Sequence, residues 1–200
     1  EKLNCHDCML FKGKKKGHKE KRPEKFETPS PLMLFSSDFF GPVAPVSGRK
    51  NRFVMIFICD KCQFAHAAPI AHKSDAPEEL EKFAKKIRKQ CGADLFTGKN
   101  SSTKAPLIVG GIRTDNEPVL RSQAWRDTCE RLNIEECHSV PYEPEMNGSA
   151  ERFVQSIKAA MRTTCANTDP RLWCFGVEQV VRVWNLRRSR RPGDPHCCAP

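Results

Sequence analysis

The amino-acid sequence predicts an α/β domain with a five-stranded mixed sheet flanked by helices. Its 200 residues are 38% hydrophobic, which is enough to bury one substantial core. Three apolar runs typical of strands come first and in close succession, which favours antiparallel neighbours. Later strand-like runs alternate with segments of helical periodicity, which favours parallel neighbours. Together these observations indicate a sheet of mixed direction.

Each predicted strand is a short apolar run bounded by turn residues. Cys59 and Cys62 bracket Asp60 and Lys61 between two such runs, so they are expected at the ends of a hairpin turn. In chain order the predicted strands are Leu32–Phe40, Arg52–Cys59, Gln63–Ile70, Leu107–Arg113 and Ile134–Val140.

Each predicted helix carries apolar residues at helical spacing. Asp75 and Glu78 fit a capping box at the start of the first helix, and Asp169 with Pro170 fits the start of the last. The predicted helices are Ser74–Cys91, Pro118–Leu132, about Gly148 to Cys165, and a final one that buries Trp173, Val177, Val180, Val181 and Trp184.

Positive charge is concentrated at the two ends of the chain. The formal net charge is +10, and residues 1–25 hold nine Lys and Arg against four Asp and Glu. We therefore expect a basic linker or stub at 1–30, a folded core at 31–190 and a loose tail at 191–200. Basic arms of this kind suit a polyanion such as nucleic acid, whereas a simple solvated end is the alternative.

The start of the chain and its cysteines indicate the cellular compartment in which the protein is expected. The chain begins at Glu1 without Met or an apolar leader, so we expect a fragment without its own secretion signal. No apolar run is long enough to cross a membrane. The 11 cysteines are therefore expected to be reduced thiols. Cys5/Cys8 and Cys59/Cys62 could jointly bind zinc, but the hairpin context of the second pair argues against it.

Three carboxylates stand out because of their positions. Asp38 lies inside an apolar strand, where an unpaired carboxylate is costly, and Asp115 follows the fourth strand. If those strands are neighbours, both carboxylates share one edge, and Glu151 approaches from the next helix. Three oxygen ligands with room for water suit Mg²⁺ or Mn²⁺, and a pair of such ions supports phosphoryl transfer.

One face of the helix that begins near Gly148 carries an ordered set of polar residues: Glu151, Gln155, Lys158 and Arg162. A carboxylate near the helix start followed by an amide and two cations suits a metal ion with a phosphate backbone laid along the helix. An ordinary solvent-exposed face is the alternative.

The pattern resembles the D,D-35-E signature of retroviral and retrotransposon integrases, since 35 residues separate Asp115 from Glu151. The best match among these is the Copia-type (Pseudoviridae) element. The strings that carry the resemblance are Ser37–Pro42, Cys59–Cys62, Arg113–Asn116 and Pro141–Arg152.

The resemblance implies an RNase H-like fold and integration of element DNA into host DNA by metal-dependent polynucleotidyl transfer. It implies that Asp38, Asp115 and Glu151 are catalytic residues that hold two Mg²⁺ or Mn²⁺ ions. Asn147 would lie in the loop before the helix and, like Lys158, would contact DNA.

The same resemblance implies several partners and locations. Relatives carry an upstream zinc module, and Cys5 with Cys8 looks like its cysteine half. DNA ends and target DNA would be the partners, with self-association into a homo-oligomer and no membrane. The nucleus and a cytoplasmic virus-like particle are the implied locations.

Two competing hypotheses remain at this point. One is a degenerate or domesticated core that binds nucleic acid without joining strands, and the other is an RNase H-like nuclease. Glu117 bears on the first, because it stands where the family has Gly after the Asp-Asn pair. A glutamate there is expected to strain a left-handed turn and to add negative charge beside Asp115.

Overall fold

The computed structural model describes residue 32 and residues 34–91, 110–138 and 148–188. These residues form a five-stranded sheet in the order β3-β2-β1-β4-β5. The strands are β1 (Leu34–Phe40), β2 (Phe53–Cys59), β3 (Ala65–Ile70), β4 (Gly111–Thr114) and β5 (Glu135–His138).

Strand directions follow the expected pattern. β1, β2 and β3 pair antiparallel, whereas β4 pairs parallel with both β1 and β5. The predicted five-stranded mixed sheet flanked by helices is therefore confirmed. The predicted strand bounds were too wide: β1 begins at Leu34, and β5 begins at Glu135. Residues 107–109 and 139–140, predicted to lie in strands, are outside the described residues.

Four α-helices complete the described fold: α1 (Ala76–Cys91), α2 (Gln123–Leu132), α3 (Gly148–Thr164) and α4 (Trp173–Arg188). Three of them follow a short 3₁₀ turn, at Lys73–Asp75, Pro118–Arg121 and Pro170–Leu172. The predicted helices from Ser74 and Pro118 were therefore too long at their N-terminal ends.

Local hydrogen bonds explain these helix starts. The hydroxyl of Ser122 accepts from the backbone N–H of Trp125 at 3.2 Å, so the cap of α2 lies after the turn at Pro118. The carboxylate of Asp75 accepts from the backbone N–H of His72 at 2.9 Å. The predicted pairing of Asp75 with Glu78 was therefore one turn too late.

The core has two layers, one on each face of the sheet, because successive strand residues point to opposite faces. α1 and α2 cover one face, where Phe35, Phe57, Phe83 and Trp125 are buried. α3 and α4 cover the other face, with the buried residues Phe40, Ile56, Phe153 and Trp173. The tryptophans predicted as core are packed in these layers rather than presented as stacking surfaces.

β3 forms one edge of the sheet, and side chains of α4 cover that edge. The Asn185 side chain accepts from the Ala65 N–H at 2.9 Å and donates to the Ala65 carbonyl at 2.8 Å. Trp184 Nε1 donates to the Gln63 carbonyl at 2.9 Å. A side chain that satisfies both backbone groups of an edge residue limits pairing with other chains.

The turn after β1 requires a glycine at position 41. Gly41 has φ +131°, and a Cβ there would lie 2.8 Å from the Arg52 carbonyl oxygen. Any other residue would meet both strain and a backbone clash. Gly41 thereby fixes the path of the chain that leaves Asp38 and Phe40.

The described cysteines carry free thiols: Cys59, Cys62, Cys129, Cys137, Cys165 and Cys174. Cys59 and Cys62 flank the turn between β2 and β3, as predicted, and both are buried. Among the helices of the described residues, none has the length and apolarity of a membrane span. Cys5, Cys8 and the predicted terminal segments lie outside the described residues.

Candidate active site

Asp38 lies in the central strand on the face covered by α3 and α4. It pairs across the sheet with Ile56, which belongs to the core on that face. Its Oδ1 accepts from the backbone N–H of Phe39 at 2.6 Å. Asp38 lies near the C-terminal end of β1, and this hydrogen bond orients its carboxylate.

Asp115 comes directly after β4, the parallel neighbour of β1. The pairs Leu34 with Gly111 and Ser36 with Arg113 define the register of this ladder. Continued by two residues, the register places Asp115 opposite Asp38. Residues opposite each other in a parallel ladder point to the same face, so both carboxylates belong to the α3 side of the sheet.

Glu151 reaches this edge from the first turn of α3. Ala150 and Phe153 on either side of it are buried, and their helix packs on β1 and β2. Glu151 itself is exposed, as are Gln155, Lys158 and Arg162. The predicted solvent-facing stripe of α3 is confirmed, and Glu151 marks its end nearest the two aspartates.

The three carboxylates interact electrostatically. Burial is the largest cause that raises the pKa of Asp38, which reaches about 6 from an ordinary value of 3.8. The negative charges of Asp115 and Glu151 raise it further, while the Phe39 N–H and Lys158 oppose the shift. Asp38 thus lies within the electrostatic reach of both other predicted ligands.

The carboxylates do not form a complete coordination set. Within the part of the chain that the structure describes, no three His, Cys, Asp or Glu side chains are grouped closely enough to hold a metal ion. Like charges near each other favour side-chain conformations that separate them. The assignment of Asp38, Asp115 and Glu151 as metal ligands therefore stays a prediction, with the backbone positions but not the side-chain arrangement in its favour.

Glu117 does not strain the turn after Asp115, so that expectation was wrong. Its φ is −59° and its ψ is 129°, which any residue adopts readily. Its backbone N–H donates to Asp115 Oδ1 at 3.1 Å. The turn closes on the Asp115 side chain and needs no left-handed residue at position 117.

The expected negative charge beside Asp115 is present, and a lysine balances it. Burial raises the pKa of Asp115, and the backbone N–H of Glu117 lowers it. The charge of the Glu117 side chain raises it, and that of Lys73 lowers it. Lys73 Nζ lies 2.8 Å from Glu117 Oε1. Lys73 could not be identified from the sequence, because nothing in its spacing connects the 3₁₀ turn before α1 with the end of β4.

A buried ion pair between β4 and the turn after β2, extended by a serine of β1, links the strands that carry the two aspartates. Arg113 of β4 donates to Asp60 at 2.6 Å, and their side chains are only 8% and 1% exposed. The Ser36 hydroxyl donates to the other oxygen of Asp60 at 2.8 Å. Since Ser36 and Arg113 lie two residues before Asp38 and Asp115, this network fixes β1 against β4 just below the site.

A cationic groove runs away from the carboxylates along α3. Its volume is about 390 Å³, and it is lined by Phe40, Gly41, Pro42, Val43, Lys158, Met161 and Arg162. Lys158 Nζ lies 5.4 Å from the centre of the Phe40 ring. Of the predicted DNA-binding residues, Lys158 and Arg162 share this groove, Gln155 is exposed on the same helix, and Asn147 lies outside the described residues.

The fold of the described residues is shared with a chain of a solved structure. A chain in the cryo-EM structure of a simian T-cell lymphotropic virus intasome in complex with PP2A regulatory subunit B56 gamma has a similar fold. The TM-score is 0.57 at 16% identity, over 83% of this chain and 57% of that one. The predicted RNase H-like fold of retroviral integrases is thus confirmed.

The amino-acid sequence is also similar to parts of known polyproteins. The Transposon Tf2-3 and Tf2-4 polyproteins of Schizosaccharomyces pombe are each 26% identical to the chain over 184 residues. The match covers 91% of this chain but only 12% of the polyprotein. No protein-family model matches. The chain is thus similar to part of a retrotransposon polyprotein, and the Copia subtype is not confirmed.

Stability should fall as the pH rises through the window set by Asp38. The folded chain keeps this proton up to about pH 6, whereas the unfolded chain releases it near the ordinary value of 3.8. The folded state therefore binds more protons within that window, and the free energy of unfolding decreases with rising pH before it levels off. Urea unfolding from about pH 4 to about pH 7 measures this slope.

Asp38→Asn is the matched comparison, because Asp115 shifts in the same direction and remains in both proteins. The variant should lose less stability than the unmodified chain over this range. Parallel stability curves would show that Asp38 is not protonated in the folded state.

Asp60→Asn should destabilise the domain strongly. It removes the charge of Asp60 from a buried ion pair with Arg113, and breaking a buried pair by removing one partner costs about 3–5 kcal/mol. Lys82→Met is the control, since its ion pairs with Glu78 and Glu79 are exposed and should contribute less than about 1 kcal/mol. Chemical denaturation measures both variants, and an Asp60→Asn loss no larger than that of the control would contradict the account.

Proposed function

We propose that the chain is the catalytic core of a retrotransposon integrase, which inserts element DNA into host DNA. The observation that carries this is the arrangement at the C-terminal ends of β1 and β4. There Asp38 and Asp115 share one face of the sheet, Glu151 joins them from α3, and a groove lined by Lys158 and Arg162 begins beside them. Similarity to retrotransposon polyproteins supports the same class.

The donor chemistry fits divalent metal ions. Two partly buried carboxylates whose pKa values are raised by burial, with a third carboxylate in electrostatic reach, gain from a cation that offsets their charge. Asp38, Asp115 and Glu151 would hold Mg²⁺ or Mn²⁺. When bound, such ions activate the attacking oxygen and stabilise the leaving oxygen of a phosphodiester.

The proposed reaction has two steps at the same edge of the sheet. Water attacks a phosphorus near the end of the element DNA, the P–O3′ bond breaks, and the released oxygen takes a proton to give a free 3′-OH. That 3′-OH then attacks a phosphorus in target DNA and displaces a second 3′ oxygen. Lys158 and Arg162 would bind the phosphates along α3 and orient the reacting bond beside the carboxylates.

Binding without catalysis is the second candidate, and one observation favours it. In the described residues the three carboxylates do not form a metal-binding group. A degenerate or domesticated core would keep the cationic groove and the fold while it no longer joins strands. An RNase H-like nuclease would instead cleave RNA–DNA hybrids at the same carboxylates.

The proposed partners and locations extend beyond this domain. The chain covers only a small part of its polyprotein relatives, so DNA ends, target DNA and self-association as a homo-oligomer are proposals for the longer protein. Zinc bound by Cys5 and Cys8 together with upstream residues, and residence in the nucleus and in a virus-like particle, are further proposals of the same kind.

Asp115→Asn should abolish strand joining. The measurement is the conversion of a labelled donor-end oligonucleotide into joined product with Mg²⁺ or Mn²⁺. Replacing Asp115 takes away one oxygen ligand and one of the three carboxylate charges of the site. Asp127→Asn, an exposed aspartate of α2, is the matched control and should retain activity.

Three outcomes separate the candidate functions. Metal-dependent joining that is lost in Asp115→Asn and retained in Asp127→Asn supports the integrase. DNA binding without product in any metal supports the binding-only core, and cleavage of RNA–DNA hybrids without joining supports the nuclease.

Lys158→Gln should weaken DNA binding and its dependence on salt. If Lys158 neutralises one phosphate, its loss lowers the slope of log affinity against log salt by about 1. Lys85→Gln provides the control, since Lys85 is 73% exposed and lies on α1, which covers the opposite face of the sheet. Fluorescence anisotropy with duplex DNA over a salt series measures both, and equal slopes would show that the groove does not take the backbone.

A further inference from the structure

Lys73 contacts the neighbours of both aspartates of the site. Its Nζ forms an ion pair with Glu117, two residues after Asp115. The same nitrogen lies 5.6 Å from the centre of the Phe39 ring, and Phe39 directly follows Asp38. One side chain of the 3₁₀ turn before α1 thus connects the C-terminal ends of β1 and β4.

Several interactions hold Lys73 in this place. Its Nζ also lies 5.7 Å from the Phe53 ring, so two aromatic faces attract the cation. The side chains of Lys73 and Glu117 are 33% and 28% exposed, so both are partly shielded from water. An ion pair in such a setting restricts its partners more than one between fully exposed side chains.

Glu117 transmits this restriction to Asp115. Its side chain is held by Lys73, and its backbone N–H donates to Asp115 Oδ1. Movement of Glu117 would therefore release a hydrogen bond that orients the Asp115 carboxylate. Hydrogen bonds to a ligating carboxylate are a common means of orienting it for a metal ion.

We propose that the Lys73–Glu117 ion pair positions Asp115 for divalent-cation binding, and that Lys73 is a positioning residue of the site. This inference rests on the proposed metal-dependent function. Lys73 does not act as a ligand: it holds the turn that presents one.

A positioning role and a purely electrostatic role for Lys73 predict opposite changes in cation affinity when Lys73 is replaced. If Lys73 only offsets charge, Lys73→Met leaves the site more negative and the cation binds more tightly. If Lys73 positions Asp115, the same variant binds the cation more weakly despite the added negative charge. The sign of the change in affinity therefore separates the two roles.

The test is Mn²⁺ affinity of the full chain, measured by electron paramagnetic resonance of free Mn²⁺ without DNA. Lys73→Met should weaken binding about tenfold, at the lower end of the effect of removing an outer partner of a ligand. Lys82→Met is the matched control, because Lys82 forms ion pairs on α1 with Glu78 and Glu79. It should bind Mn²⁺ as the unmodified chain does.

Charge reversal provides an independent readout. Lys73→Glu and Glu117→Lys should each weaken binding, and the double variant should bind more tightly than either because it restores an ion pair. Circular dichroism identifies variants that are folded, and the comparison is made among those. A double variant no better than the single ones, or a Lys73→Met protein with unchanged or higher affinity, would overturn the proposal.

Asp115→Asn distinguishes failure of this inference from failure of the proposed function. If the unmodified chain binds Mn²⁺ and Asp115→Asn does not, an unaffected Lys73→Met overturns only the role of Lys73. If Asp115→Asn binds Mn²⁺ as the unmodified chain does, or neither binds it, both proposals fall.

Discussion

The parallel pairing of β1 with β4 is the constraint on which the candidate site depends. Asp38 and Asp115 are far apart in the chain, and only this ladder brings them to the same face of the sheet. A shift of one residue would turn one of them to the opposite face, toward the core under α1 and α2. The buried contact of Arg113 with Asp60, shared with Ser36, stabilises the correct register from below.

Charge balance is the second theme of the site. Burial and mutual repulsion make the carboxylates costly, and the described surroundings offset that cost only in part. Lys158 of α3 lowers the pKa of Asp38, and Lys73 of the 3₁₀ turn before α1 lowers that of Asp115. The remaining negative charge attracts cations to this edge of the sheet. In the groove beyond it, the positive charges of Lys158 and Arg162 suit a polyanion.

Much of the fold could be predicted because its causes are local. Apolar runs and helical spacing locate the strands and helices, and their order predicts the mixed sheet. The 3₁₀ turn at Pro118 was missed because α2 begins only after the cap at Ser122, whose hydroxyl accepts from the Trp125 N–H, and helical spacing does not reveal that cap. The strain expected at Glu117 was wrong for a related reason: the side chain of Asp115 closes the turn, so the backbone needs no special residue.

The candidate site was predictable where a residue type conflicts with its surroundings. Asp38 in an apolar strand is an anomaly of that kind, whereas Glu151 was identified from the order of the polar residues along one helix face. Lys73 and Asp60 are ordinary residues in sequence, and their importance comes from partners in distant segments, Glu117 and Arg113. Such long-range pairs carry no signal in spacing or composition, so the structure was needed to find them.

The central claim is that Asp38, Asp115 and Glu151 together hold a divalent cation. Anomalous diffraction from crystals of the chain soaked in Mn²⁺ tests it most directly. We expect Mn²⁺ at the C-terminal ends of β1 and β4, with an oxygen of each of the three carboxylates about 2.1 Å away, as for small hard cations. Mn²⁺ bound elsewhere, or bound at this edge without one of the three, would contradict it.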